Sequence, residues 1–177
     1  WSGDFDELQD VEITIEDIQF GNGLIKGESH DSLGPPHSGL SPTLDALAVY
    51  LASIKTPPSL QKNNRDDLVI GAELFGTLGC NTCHIPPLFT DLKLHDVGTG
   101  SLTDEKNSHG QGTMFDTPSL RGAWLTAPYF HNGSAATFEQ VLRTGTSHNV
   151  FDSIDDSELK ALIRFIRELP DGNLARK

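Results

Sequence analysis

The pentapeptide Cys80-Asn81-Thr82-Cys83-His84 constrains this chain more than any other feature of its sequence. Two thiols one helical turn apart can form thioether bonds to the two vinyl groups of a haem, and the next histidine can reach the iron. Both cysteines of the chain are in this motif, so none remains for a disulfide framework. The motif predicts one covalently bound haem c, held by Cys80 and Cys83, with His84 as an axial ligand.

Two other kinds of site use closely spaced cysteines. A zinc site needs two further ligands, and here it would have to recruit histidines at irregular spacing, whereas structural zinc sites favour paired thiolates. A thioredoxin-like redox pair needs a βαβ context, and the surroundings of this motif are helix and loop. The five residues therefore favour haem attachment.

Apolar residues at helical spacing, with no alternating strand pattern, predict an all-α fold. Helices are expected from Pro42 to Ile54, from Leu68 into the cysteine motif, after a Ser134 cap, and from Asp155 to Leu169. The stretch from His84 to Gly112 is rich in Gly, Pro, Asp and Ser, which suggests a loop wrapped around a large cofactor.

A polar link near residue 64 divides the chain into two predicted parts. Residues 1–64 form an irregular N-terminal extension, and residues 65–177 form a cytochrome c-like helical domain around one covalently bound haem.

Acidic residues outnumber basic ones, 25 against 13, which gives a formal net charge of -12. A nucleic-acid interface needs a basic stripe and anionic lipid attracts basic surfaces, so both kinds of partner are excluded. No apolar run approaches the roughly 18 residues that a membrane span requires. The acidic surface either serves solubility or steers a basic redox partner.

The second axial position of the iron can hold a methionine, a histidine or nothing. Met114 is the only methionine and lies beyond the long loop, where its thioether could reach the iron from the opposite face. A lone methionine is also a common core filler. The rival ligands are histidines that could equally be surface residues or propionate partners: His95, His109, His131 and His148.

Two stretches after Met114 form a long and specific signature, Thr117-Pro118-Ser119-Leu120-Arg121-Gly122 and Thr126-Ala127-Pro128-Tyr129-Phe130-His131-Asn132-Gly133-Ser134. They resemble the C-terminal, electron-transfer haem domain of bacterial di-haem cytochrome c peroxidases. The family's distal methionine precedes its Pro-x-Leu-Arg stretch, so the resemblance implies Met114 as ligand. It places Arg121 and His131 where polar groups either hold the haem propionates or make structural hydrogen bonds.

The opening Trp1-Ser2-Gly3, with Leu8-Gln9, resembles the segment that follows the first haem of such proteins. The resemblance implies that the chain starts after a first haem domain and is periplasmic or otherwise extracytoplasmic. Because the sequence begins at Trp1 and shows no signal segment, we expect it to be processed or excised. The resemblance also allows a calcium ion, which family members often hold between their domains.

Two functions follow as hypotheses. The first is electron transfer by a mono-haem domain with His84 and Met114 ligation, toward a redox partner protein or a neighbouring domain. The alternative is a peroxidase or related oxidant-handling haem enzyme, active only with a missing second haem domain. The chain contains no second Cys-x-x-Cys-His motif, and none of Glu7, Glu12 or Glu16 aligns with the peroxidatic glutamate. These departures favour electron transfer for the chain alone.

Overall fold

The computed structural model describes residues 7–17, 19–25, 36–55, 65–101, 112–150 and 152–169. The chain divides into two compact units. The first is Gly3–Lys55, and the second is Thr56–Lys177 together with Trp1–Ser2. The Trp1 segment and the boundary predicted near residue 64 both lie outside the described residues.

The first unit is more regular than its sequence suggested. A 3₁₀ turn, Leu8–Asp10, leads into α1, Val11–Asp17. A capping box starts the turn, in which the backbone N–H of Glu7 donates to the Asp10 carboxylate at 3.1 Å. This acidic stretch lacks a clear apolar stripe, so its periodicity does not predict a helix. The predicted helix after Ser41 is α2, Pro42–Ser53, and the Ser41 hydroxyl accepts from the backbone N–H of Leu44.

The second unit is built on two packed helices, α3, Arg65–Thr77, and α5, Asp156–Arg167. Asp155 caps α5, accepting from the backbone N–H groups of Ser157 and Glu158. The two helices approach closely at Gly71, where an added Cβ would lie 2.3 Å from the carbonyl oxygen of Ala161. Around them is a cluster of buried apolar side chains: Phe75, Phe89, Phe138, Leu142, Leu159, Leu162, Ile166 and Leu169.

Two expectations about this unit need correction. The prediction of an all-α fold missed a small antiparallel sheet, in which β1, Leu94–Asp96, pairs with β2, Met114–Asp116. Strands of three residues are too short to show an alternating pattern, so the chain is mostly helical rather than all-α. The helix expected after Ser134 is α4, Phe138–Arg143, and Thr137 caps it instead. None of the helices in the described ranges is long and apolar enough to cross a membrane.

Candidate haem site

The cysteine motif lies directly beyond the end of α3. Gly79 takes a left-handed conformation, with φ of 76°, and reverses the chain into a 3₁₀ turn at Cys80–Thr82. The turn is held by hydrogen bonds from the Thr82 hydroxyl to the Gly79 carbonyl, 2.7 Å, and from the His84 N–H to the Cys80 carbonyl, 3.0 Å. Cys80 and Cys83, both half-buried and free of disulfides, therefore have fixed backbone positions.

His84 is buried, with 9% of its surface exposed. Its Nδ1 lies 3.0 Å from the Phe89 carbonyl oxygen, which can only accept, so Nδ1 carries the proton and donates. That leaves the lone pair on Nε2. A hydrogen bond from the ring nitrogen that does not bind the metal is the usual way in which proteins orient a metal-binding imidazole. Burial lowers the pKa of His84, outweighing the carbonyls of Phe89 and Pro118, and favours the neutral ring that binds metals.

The loop after His84 is hydrogen-bonded to the start of the Thr117–Gly122 signature. The Thr90 hydroxyl donates to the Thr117 carbonyl at 2.6 Å, and the Ser119 hydroxyl donates to the Leu88 carbonyl at 2.5 Å. The N–H of Leu120 donates to the same Phe89 carbonyl that accepts from His84. The signature residues thus fix the loop that orients His84, a role that their sequence did not reveal.

Asp91 and His95 adjoin the second cysteine. His95 places Nδ1 3.9 Å from the Cys83 sulfur and donates through Nε2 to Asp91 at 2.8 Å. Burial tends to raise the pKa of the Asp91 carboxyl, but hydrogen bonds from His95, Thr117 and Lys93 outweigh it and lower the pKa to about 2. Cys83, Asp91 and His95 lie close enough to share a metal ion, but the Asp91 carboxylate already accepts the hydrogen bonds just described. Burial also raises the pKa of the Cys80 thiol, against the thiolate form that zinc requires.

The other signature residues fall into different surroundings. Arg121 is half-buried, and its backbone N–H donates to the Ser119 hydroxyl. The His131 ring stacks on Phe115 with 3.9 Å between ring centres, and its Nδ1 lies 3.2 Å from the Thr99 hydroxyl. Tyr129 stacks on the buried Phe138. Contact of Arg121 with haem propionates stays a prediction.

The ring that lies next to His84 is that of His148, with 6.4 Å between the ring centres. His148 follows α4 in a loop whose own hydrogen bonds fix it. Burial lowers its pKa, and the neighbouring His84 lowers it further. Among the described residues, none hydrogen-bonds to its buried Nδ1. From the sequence, His148 is only one of four histidines that could replace Met114 as the second axial ligand, because no spacing rule links it to the distant cysteine motif.

Met114 begins β2, opposite Asp96, and its side chain is 37% exposed. The next residue, Phe115, faces the other side of the strand and stacks on His131. Met114 as axial ligand stays a prediction from the sequence. His109, another of the rivals, lies outside the described residues.

The donor set fits a covalently attached haem. Two half-buried thiols are one turn apart, a neutral histidine directly follows them, and a buried imidazole nitrogen without a hydrogen-bond partner in the described residues lies near that histidine. Ile85 and Leu88 leave apolar surface exposed close to the motif in the sequence, a surface suited to an apolar macrocycle.

Comparison with known proteins gives consistent matches. The family model for RoxA-like, cytochrome c-like proteins matches residues 114–152. Cytochrome c551 peroxidase of Nitrosomonas europaea is 29% identical over 143 residues, covering 70% of this chain and 42% of the relative. The methylamine utilization protein MauG of Methylorubrum extorquens is 35% identical over 95 residues, covering 44% of this chain and 26% of the relative.

A solved structure agrees with the fold. A chain of the hydrazine synthase of Kuenenia stuttgartiensis superposes with a TM-score of 0.55 at 24% identity, over 73% of this chain and 56% of that one. The chain spans less than half the length of the two curated relatives. Its second unit carries a cytochrome c-like domain of the kind that holds haem c, and the chain is similar to members of the di-haem cytochrome c peroxidase family.

Proposed function

We propose that this chain is a mono-haem electron-transfer module, with one haem c bonded through Cys80 and Cys83 and His84 as an axial ligand. The observation that supports it most is the setting of His84. Its ring is buried, and its Nδ1 is committed to the Phe89 carbonyl, which leaves Nε2 for the iron.

A bound haem supplies a reversible one-electron change between ferrous and ferric iron. Cys80, Cys83 and His84 would hold that group. The hydrogen bonds from Thr90, Ser119 and Leu120 keep the His84 ring in one orientation through both oxidation states. A fixed ligand lowers the reorganisation that accompanies electron transfer, as preorganised sites do.

Several finer assignments belong to this proposal. The resemblance implies Met114 as the second axial ligand and Arg121 as a propionate partner. It also implies that residues 1–64 are the tail of a preceding haem domain and allows a calcium ion between the domains. Because the net charge is -12, the redox partner presents a basic surface. The location is extracytoplasmic, where haem c is attached.

Peroxide reduction is the second candidate, because several matched relatives are named peroxidases. For this chain it requires a second haem domain, since the sequence holds one Cys-x-x-Cys-His motif. A steady-state assay with hydrogen peroxide and a reduced donor separates the two candidates. Turnover once a preceding haem domain is added would favour the enzyme, and no turnover in either form would favour the electron-transfer module.

The test of electron transfer is a potentiometric titration of chain matured with haem in a bacterial periplasm. We expect a single reversible one-electron wave, and rapid exchange of electrons with a basic cytochrome that slows as salt rises. The double variant Cys80→Ala/Cys83→Ala is the control and should show no wave. An irreversible or absent wave in the haem-loaded chain would contradict the proposal.

A further inference from the structure

The imidazole rings of His84 and His148 have a separation that suits two ligands of one metal ion. An imidazole nitrogen binds a metal at about 2.0–2.1 Å, and the ring centre lies roughly 1.1 Å behind it, so two rings on opposite sides of one ion have centres about 6.3 Å apart. The ring centres of His84 and His148 are 6.4 Å apart. Rings in direct stacking contact lie much closer, as His131 and Phe115 do at 3.9 Å.

The surroundings of His148 point the same way. A buried nitrogen that lacks a hydrogen bond destabilises the fold, so proteins seldom leave one without a purpose. Nδ1 of His148 is such an atom within the described part of the chain. Coordination to an ion beside His84 would supply its ring with the missing partner.

The loop that carries His148 is held in place on both sides of that residue. The N–H of Ser147 donates to the Val97 carbonyl at the end of β1, at 3.3 Å. The N–H of Val150 donates to the Leu142 carbonyl in α4 at 2.9 Å, and the His148 N–H donates to the Thr146 hydroxyl at 3.2 Å. Phe130 packs against the ring, with 5.8 Å between ring centres. The position of His148 is therefore built into the domain.

We propose that His148, in place of Met114, is the second axial ligand, so that two imidazoles hold the haem iron. This inference rests on the proposed attachment of haem at Cys80, Cys83 and His84. Two imidazoles leave no site on the iron for peroxide and give a lower reduction potential than a histidine with a thioether. The domain is then an electron relay with closed coordination.

The test compares the matured wild type with His148→Ala, Met114→Leu and His131→Ala by ferric electron paramagnetic resonance and visible absorption. We expect a low-spin spectrum without the long-wavelength thioether band in the wild type, in Met114→Leu and in His131→Ala. His148→Ala should lose the low-spin signal completely, and added imidazole should restore it. His131→Ala is the matched control, since it removes another half-buried ring of the same unit, one that stacks on Phe115.

A second variant guards against a folding defect. His148→Met keeps a ligand at the same position and should remain low-spin, with an upward shift of the midpoint potential and a new thioether band. A high-spin Met114→Leu beside an unchanged His148→Ala would overturn the proposal, as would a change confined to His109→Ala. Wild type that carries no covalent haem would instead overturn the proposed function, so the two failures are distinguishable.

Discussion

The two faces of the proposed haem site are built in opposite ways. On the His84 face, the attachment thiols, the ligand and the carbonyl that orients it come from one short stretch between Cys80 and Phe89. On the His148 face, the candidate ligand depends on a loop tied to α4 and to β1, and β1 is distant in the sequence. The first face can be read from a motif, whereas the second exists only once the chain has folded.

The largest expected effects separate covalent attachment from ligation. Cys80→Ala with Cys83→Ala should abolish covalent haem, because both thioether bonds are lost. His148→Ala should keep the haem attached and change only its spin state. Denaturing gels stained for haem peroxidase activity, with absorption spectra of the same samples, measure both outcomes. Covalent haem in the double cysteine variant would show that the two faces do not differ in this way.

Gly71→Ala tests the helix pair that supports both faces. The added Cβ would meet the Ala161 carbonyl oxygen at 2.3 Å and the Phe165 Cβ at 2.6 Å, and a packed backbone cannot easily move away. We expect a loss of about 1–3 kcal/mol in the free energy of unfolding, as for other overpacked cores. Urea denaturation of the matured protein measures it.

Gly76→Ala is the matched control in the same helix, because nothing lies within 4 Å of its added Cβ. It should be neutral or stabilising by about 0.5–1 kcal/mol, the usual gain when alanine replaces a helical glycine. Equal destabilisation by both variants would contradict the close packing of α3 on α5.

Thr137→Ala loosens the helix that precedes His148. The Thr137 hydroxyl caps α4 by accepting from the Gln140 N–H at 3.2 Å, and the loss of such a cap costs about 1 kcal/mol. The effect should appear in thermal melts, and Thr137→Ser, which retains the hydroxyl, should restore most of the stability. A loss of covalent haem would be unexpected, since this change touches only the His148 face.

The last expected effect is a pH dependence on the His84 face. Asp91 has a pKa of about 2 in the folded chain against an ordinary value of 3.8, so folding favours its ionised form. That stabilisation is fully present above about pH 4 and is lost as the pH falls toward 2. Wild type should therefore exceed Asp91→Asn in stability at pH 6, and the difference should shrink between pH 4 and 2. Urea unfolding at several pH values measures it, and a constant difference would contradict the lowered pKa.

Sequence periodicity predicted the longer helices well. The expected helix from Pro42 ends one residue early, and α5 lies within the predicted range of residues 155–169. These helices carry apolar residues at regular spacing, with Ser41 and Asp155 as caps. Helix α1 and the two strands were missed because short elements are stabilised by contacts that the local sequence does not encode.

The site divides along the same line. The motif identified Cys80, Cys83 and His84 because haem attachment requires a fixed local spacing. It did not identify the Phe89 carbonyl, whose position depends on the path of the loop and on a φ of 56° at Phe89. Nor could it rank His148 above the other histidines, because that choice depends on where a separate loop packs.

The central claim is one haem, bonded covalently to this chain through the cysteine motif. Its most direct test is intact-mass spectrometry of the matured protein after acid-acetone extraction, which removes haem that is not bonded. We expect the mass of the polypeptide plus one haem, with the addition confined to the peptide that contains Cys80 and Cys83. The mass of the bare polypeptide, or release of the haem into the acetone, would contradict it.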